Sequence, residues 1–234
     1  MNIPGYHRHR RGTAFTLIEL IVVIAIIGVL ASLIIPIVGK ITEKKQVALA
    51  QAELKEVQSS IDEYKTKLGF YPPDNTNNPV TNQLYFELMG TTNNQVGTTP
   101  PNQWGTMDGS AMVNMTVPNI ASFFNVSGFA NTSTHLHSDD NGTAATTFLT
   151  GLRPNQVGAI DPANDPLVKI LVCSIPWPSD KKPTPILTNP ILNPWRYNSS
   201  HPTNNVGTYD LWVDLVIGKK TNRICNWSPD PIKL

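Results

Sequence analysis

From Leu20 to Gly39 the chain carries no charged side chain, and one carboxylate, Glu19, stands at the edge of that run. About twenty such residues at 1.5 Å per residue form a helix that crosses a bilayer core of about 30 Å. The apolar core of a cleaved export signal is shorter, about 7–15 residues. Arg8, Arg10 and Arg11 precede the run, with His7 and His9 between them. The positive-inside rule places such an N-terminus in the cytoplasm and the chain after Lys40 outside. A plain membrane anchor accounts for the length and the arginines, but not for Glu19. An unpaired carboxylate in hydrocarbon is costly, so this charge must meet a positive group, and the nearest source is another subunit.

Beyond the run the pattern changes without a break. Val47, Ala50, Leu54, Val57, Ile61, Tyr64 and Leu68 recur at alternating spacings of three and four, one apolar stripe on a helix. Lys44, Lys45, Glu53, Glu56, Asp62, Glu63 and Lys67 take the other positions. Gly69 is placed to cap the helix, and Pro72-Pro73 cannot continue it. The spacing therefore predicts one helix from Phe15 to Leu68, about 80 Å long. Pro36 and Gly39 mark where it could bend. Its distal half is expected to pack on its own domain. A coiled-coil dimer suits it less well, with only about three heptads.

The chain has 234 residues and a net charge of +1. With the arginine-rich leader set aside the remainder is slightly acidic and has no basic patch, which excludes nucleic acid as an expected partner. Residues 74–165 are rich in Asn, Thr, Gly and Pro and read as an insertion, with a helical turn or two at Gln83 to Met89. Short strands are expected at Met112 to Val117 and at Ser122 to Val126. His135, His137, Asp139 and Asp140 are metal-ligand types, but their Ser/Asn/Gly context reads as a solvated loop. Leu167 to Val172 is a short apolar run, helix or strand undecided. Thr208 to Ile217 reads as a strand rich in aromatic and β-branched residues, and Ile224 to Trp227 as a segment closing its sheet. Cys173 and Cys225 pair as one disulfide in an oxidising compartment, with two buried thiols as the alternative. Among catalytic patterns there is no nucleophile elbow, phosphate loop or paired-carboxylate motif. Ser174, His201 and Asp210 form a triad only on paper, so no enzyme is expected.

The segment Phe15-Thr16-Leu17-Ile18-Glu19-Leu20-Ile21-Val22-Val23-Ile24-Ala25-Ile26-Ile27-Gly28-Val29-Leu30-Ala31 resembles the N-terminal signature of type IV prepilins and type II secretion pseudopilins. The resemblance implies a leader of residues 1–14 removed by prepilin peptidase between Ala14 and Phe15, and N-methylation of Phe15. Alanine stands where the family usually has glycine before the cut, and Gly12-Thr13 is the rival bond. The resemblance also implies that Glu19 pairs with the new N-terminal amine of a neighbouring subunit, and that Gly28 and Pro36 loosen the helix. It further implies an assembly helix over 15–39, an amphipathic helix over 40–69, and a β-rich extracytoplasmic domain over 70–234. The fold expected is pilin-like α+β, a long N-terminal helix on a small antiparallel sheet.

The C-terminal half is similar, more weakly, to major pseudopilins. Asn193-Pro194-Trp195 with Tyr197, then Tyr209-Asp210-Leu211, then Asn226-Trp227 carry that likeness. The family often binds calcium in the loop between the last two, but this chain has Gly218-Lys219-Lys220-Thr221-Asn222-Arg223 there. Three cations argue against calcium, which leaves Asp214 as a weak candidate ligand and no cofactor expected. By resemblance the chain is a subunit of a type II secretion pseudopilus. A type IV pilus subunit and an anchored binding domain that never polymerises are the alternatives. The implied partners are copies of itself and other pilins, the peptidase and an inner-membrane assembly platform. The implied location is the inner membrane in a single pass, with the C-terminal domain periplasmic, and then a filament.

Overall fold

The computed structural model describes residues 15–94, 103–114, 117–133 and 144–234, and the side chains of residues 33–40, 93–94, 114 and 117–119 lie outside the description. Two compact units divide at Lys44, the second being Lys45–Leu234. Helix α1 is Leu17–Leu68. It stays helical through Gly28 and Pro36. It ends at Gly69, whose φ of +87° suits a residue without Cβ and whose N–H donates to the Lys65 carbonyl at 2.9 Å.

In the second unit Ala50, Leu54, Val57, Ile61 and Tyr64 are buried, and Val47 and Leu68 pack partly buried against the same core. The stripe is therefore the face that the spacing requires. Glu53 is a correction to the sequence reading, which puts it on the polar side. It is only 1% exposed. It lies three residues after Ala50 and four before Val57, so it shares their face. Its carboxylate is satisfied by Arg153 at 3.0 Å and by the Ser174 N–H at 3.0 Å.

Short helix α2, Leu84–Met89, buries all of its residues. Strands β1 (Thr91–Asn94), β2 (Gln103–Thr106), β3 (Met112–Asn114) and β4 (Thr132–Ser133) form a sheet of order β3-β2-β1-β4. Its β1–β4 pair is parallel and the others antiparallel. Helix α3, Val117–Phe124, covers most of the Ser122 to Val126 segment read as a strand. The short apolar run there turns its aromatic residue Phe124 onto Phe86 and Phe129 rather than into a sheet. Strands β5 (Val157–Asp161) and β6 (Asp165–Leu171) form a hairpin, which settles the run at Leu167 as strand.

The C-terminal sheet is wholly antiparallel, in the order β10-β9-β8-β7. Its strands are β7 (Arg196–Asn198), β8 (Asp210–Ile217), β9 (Lys220–Cys225) and β10 (Ser228–Lys233). In β8 Asp210, Leu211, Val213, Asp214 and Leu215 are buried. β10 carries Pro229 and Pro231, which only an edge strand tolerates. The fold is thus α+β with a long N-terminal helix, as expected, but with three sheets rather than one.

The expected disulfide is a correction: Cys173 and Cys225 are both free, buried thiols. Cys173 follows β6 and donates its N–H to the Asn193 carbonyl at 2.8 Å. Cys225 ends β9, opposite Trp212 of β8. Cys173 lies past the end of the β5–β6 hairpin and Cys225 in the C-terminal sheet, and burial pushes both thiols up, so neither is poised to react.

Candidate functional site

The start of α1 is built by two side chains. Thr16 precedes the first helical residue, and Glu19 is the third. The Thr16 N–H donates to Glu19 Oε2 at 2.9 Å and the Thr16 hydroxyl to the same oxygen at 2.7 Å. In return the Glu19 N–H donates to Thr16 Oγ1 at 3.3 Å. This reciprocal pattern is a capping box, and it satisfies backbone donors that a helix start otherwise leaves orphaned. Thr-x-x-Glu ahead of an apolar run is a legible signal for it that the sequence reading did not use. Both bonds from Thr16 are local to one turn. Among the described residues no cation pairs with Glu19.

Beyond Glu19 the helix is apolar on every side. Leu17, Ile18, Leu20, Ile21, Val22, Val23, Ile24, Ile26, Ile27, Val29 and Leu30 are all at least 44% exposed. Consecutive positions turn about 100° each, so these residues cover the whole circumference. A helix apolar all round belongs in lipid or among other helices. Among the described residues no helix is long and apolar enough to cross a membrane. The uncharged run of sequence continues through residues 33–39, whose side chains are not described. A Cβ placed on Gly28 would meet nothing within 4 Å, so the glycine serves no packing need inside this chain. A small residue there leaves room for a second backbone.

Phe15 is 76% exposed at the head of the helix. Ala14, the rival bond at Gly12-Thr13 and the leader arginines lie outside the described residues. His135, His137, Asp139 and Asp140 do as well.

The remaining candidates are engaged in holding the second unit together. Asp214 is a correction as a metal ligand. Arg223 grips both its oxygens, at 2.7 and 3.1 Å, and Arg196 approaches at 3.9 Å. The register places Asp214 directly opposite Arg223 across β8 and β9. One of the cations that argued against calcium occupies the carboxylate itself. Asp210 accepts the backbone N–H groups of Thr203, Asn204 and Asn205 at 2.8–2.9 Å. Burial would raise its carboxyl, but those donors outweigh it and hold the group below the usual range. Its oxygens serve the loop rather than His201, whose N–H is donated to Asn198.

Glu87 was not singled out by the sequence. It is fully buried in α2 and accepts from Tyr64 (2.9 Å) and from the backbone of Ala130 (2.8 Å) and Asn131 (2.9 Å). Burial raises its carboxyl, and the three donors pull it only part of the way back. It ties α1, α2 and the segment before β4 to one point.

Residues 9–35 match the family model of the prokaryotic N-terminal methylation motif. The chain is 35% identical over 65 residues to a type II secretion system core protein G of Pseudomonas aeruginosa, covering 28% of this chain and 46% of that protein. A core protein G of Dickeya chrysanthemi is 37% identical over 92 residues, covering 39% and 52%. The type IV major pilin protein PilE of Neisseria gonorrhoeae is 42% identical over 62 residues, covering 26% and 37%. The chain thus spans about half or less of the length of the curated relatives it matches. No solved structure matches it.

Proposed function

We propose that this chain, which is similar to type IV pilins and type II secretion pseudopilins, is a structural subunit, not an enzyme, of a type II secretion pseudopilus. The observation that carries the reading is a helix apolar on every face that begins with one carboxylate, held among the described residues only by its own first turn. In the membrane such a helix sits in lipid, with the N-terminus cytoplasmic and the second unit periplasmic. Cleavage between Ala14 and Phe15 by prepilin peptidase frees an amine, which the same enzyme methylates on Phe15. That amine meets Glu19 of a neighbouring subunit, and the pairing offsets two desolvation costs at once and fixes the register between subunits. Meanwhile Leu17 to Val38 exchange lipid for helix contacts, Gly28 admits close approach, and Pro36 lets the helix loosen. An inner-membrane platform drives the transfer. No cofactor takes part.

A type IV pilus subunit is the second reading, favoured by the likeness to PilE. The 92-residue match to a core protein G is longer than the 62-residue match to that pilin, and this tips the choice. Mass spectrometry of the N-terminus of protein made in its own host tests the processing. The proposal expects methylated Phe15. A chain beginning at Thr13 shifts the pairing register, and one that keeps Met1 while the peptidase is active reduces the helix to an anchor.

A further inference from the structure

In the second unit, the distal half of α1 and the β9–β10 turn enclose a groove of about 700 Å³. Gln51, Lys55 and Gln58 line the α1 side, at spacings of four and three that keep them on one helix face. Trp227, Pro229, Asp230 and Pro231 line the other side. The second wall is irregular. Between the pairs Ser228–Cys225 and Ile232–Arg223, three residues of β10 face one of β9. That bulge is Pro229-Asp230-Pro231, and it takes the edge strand out of regular pairing. The Pro229 carbonyl accepts the Gln51 amide N–H at 3.0 Å, which ties the bulge to α1.

The groups in the groove are accessible, and several are held in place. The bond to Pro229 fixes the Gln51 amide and leaves its Oε1 without a partner among the described residues. Trp227 is half-buried, and Trp212 braces it edge-on at 5.7 Å. Lys55 and Asp230 stand exposed on opposite walls. Among the described residues neither takes part in an ion pair.

These walls decide what fits. One cation and one anion cancel, so the groove selects no ion. Polar side chains on both walls make it a poor seat for a wholly apolar molecule. An extended peptide joins a strand edge through alternating backbone donors and acceptors. Pro229 and Pro231 have no N–H to offer, and the Pro229 carbonyl is already taken. A hydroxyl both donates and accepts, so one hydroxylated ligand can meet the Lys55 ammonium, the Asp230 carboxylate and Gln51 Oε1 together. We propose that this groove binds a neutral saccharide, with its hydroxyls on Gln51, Lys55 and Asp230 and the C–H face of a sugar ring on Trp227. The site lies wholly within Lys45–Leu234 and does not rest on the pseudopilus reading.

The test uses the full chain in micelles of a detergent without a sugar head group. It is titrated separately with maltose, cellobiose and the disaccharide of N-acetylglucosamine, and with a peptide of alternating alanine and serine. Saturation transfer from protein to ligand, read by NMR, gives the affinity. The Trp227 indole N–H resonance, assigned through Trp227→Phe, locates the site. Saturable binding of at least one disaccharide is expected, with a dissociation constant of roughly 1 mM, a shift of that resonance and no saturable response to the peptide. Lys55→Ala and Asp230→Ala, both at exposed positions, should each weaken binding about threefold or more. Trp227→Ala should weaken it about tenfold, and the two exposed variants carry the test if that one fails to fold. No saturable response to any of the disaccharides, binding that persists unchanged in Lys55→Ala and Asp230→Ala, or saturable binding of the peptide alone overturns the proposal.

Discussion

Glu19 and Glu53 lie on the same helix and differ in nearly everything else. Glu53 is buried, and its partners come from far along the chain, the Arg153 guanidinium and the Ser174 N–H. Glu19 is exposed, and its partner is Thr16, three residues away. Around Glu53 the apolar neighbours are buried, whereas around Glu19 they are exposed on every face. The second unit therefore pairs Glu53 and buries the apolar stripe around it within one chain. The start of α1 satisfies its polar groups within one turn but leaves its apolar side chains exposed, and under the proposed function these find their complement in lipid and then in other copies. On the proposed function, the difference separates residues that hold a subunit together from those that join subunits.

That contrast is sharpened first by Glu87→Ala. It orphans the buried Asn131 N–H, the part-buried Ala130 N–H and the buried Tyr64 hydroxyl. A loss of about 3 kcal/mol or more is expected in denaturant unfolding of the second unit. Membrane insertion should be unchanged.

Acid titration comes next. The Asp210 carboxyl lies below its usual range in the fold, so its stabilisation is fully present above the unfolded value of about 3.9 and is lost as pH falls through the folded value. The wild type should melt well above Asp210→Asn at neutral pH, and the gap should close below about pH 4. A gap constant with pH would mean that the carboxylate's charge contributes nothing.

Glu53→Gln keeps an acceptor for Ser174 but loses the charge opposite Arg153, which is half-exposed. About 1 kcal/mol is expected, read as a fall of about 2–4 °C in melting temperature. Filament yield should hold, and a collapse of assembly in this variant would break the comparison.

The smallest effect belongs to Thr16→Ala. Removing the cap costs about 1 kcal/mol locally, seen as roughly fivefold faster exchange of the Leu17 to Glu19 amides. The melting temperature of the second unit should not move.

The outline of α1 was legible because it rests on local signals: an uncharged run, a stripe of period 3.6 and a glycine ahead of two prolines. Strand β8 was legible from its β-branched and aromatic residues. The burial of Glu53 was open to the same periodicity, since Ala50 and Val57 bracket it on one face, but its partner Arg153 is distant in sequence and leaves no local mark. The Ser122 to Val126 segment was misread because a short apolar run does not distinguish a buried strand from a helix. β10 escaped notice because its prolines mask an edge strand. The pairing of Asp214 with Arg223 comes from cross-strand register, which a hairpin fixes only once its turn is known. At the helix start, Thr16 was readable and overlooked, while Glu19 stood out because a charge beside hydrocarbon demands a reason.

The most direct measurement compares Glu19→Ala with the wild type in the native host, scoring filament recovered by shearing, membrane insertion, and the melting temperature of the second unit. The account predicts loss of filaments with insertion intact and melting unchanged within about 1 °C, since among the described residues no long-range contact depends on Glu19. Filaments at wild-type yield would contradict it and leave Glu19 as the capping half of an ordinary anchor.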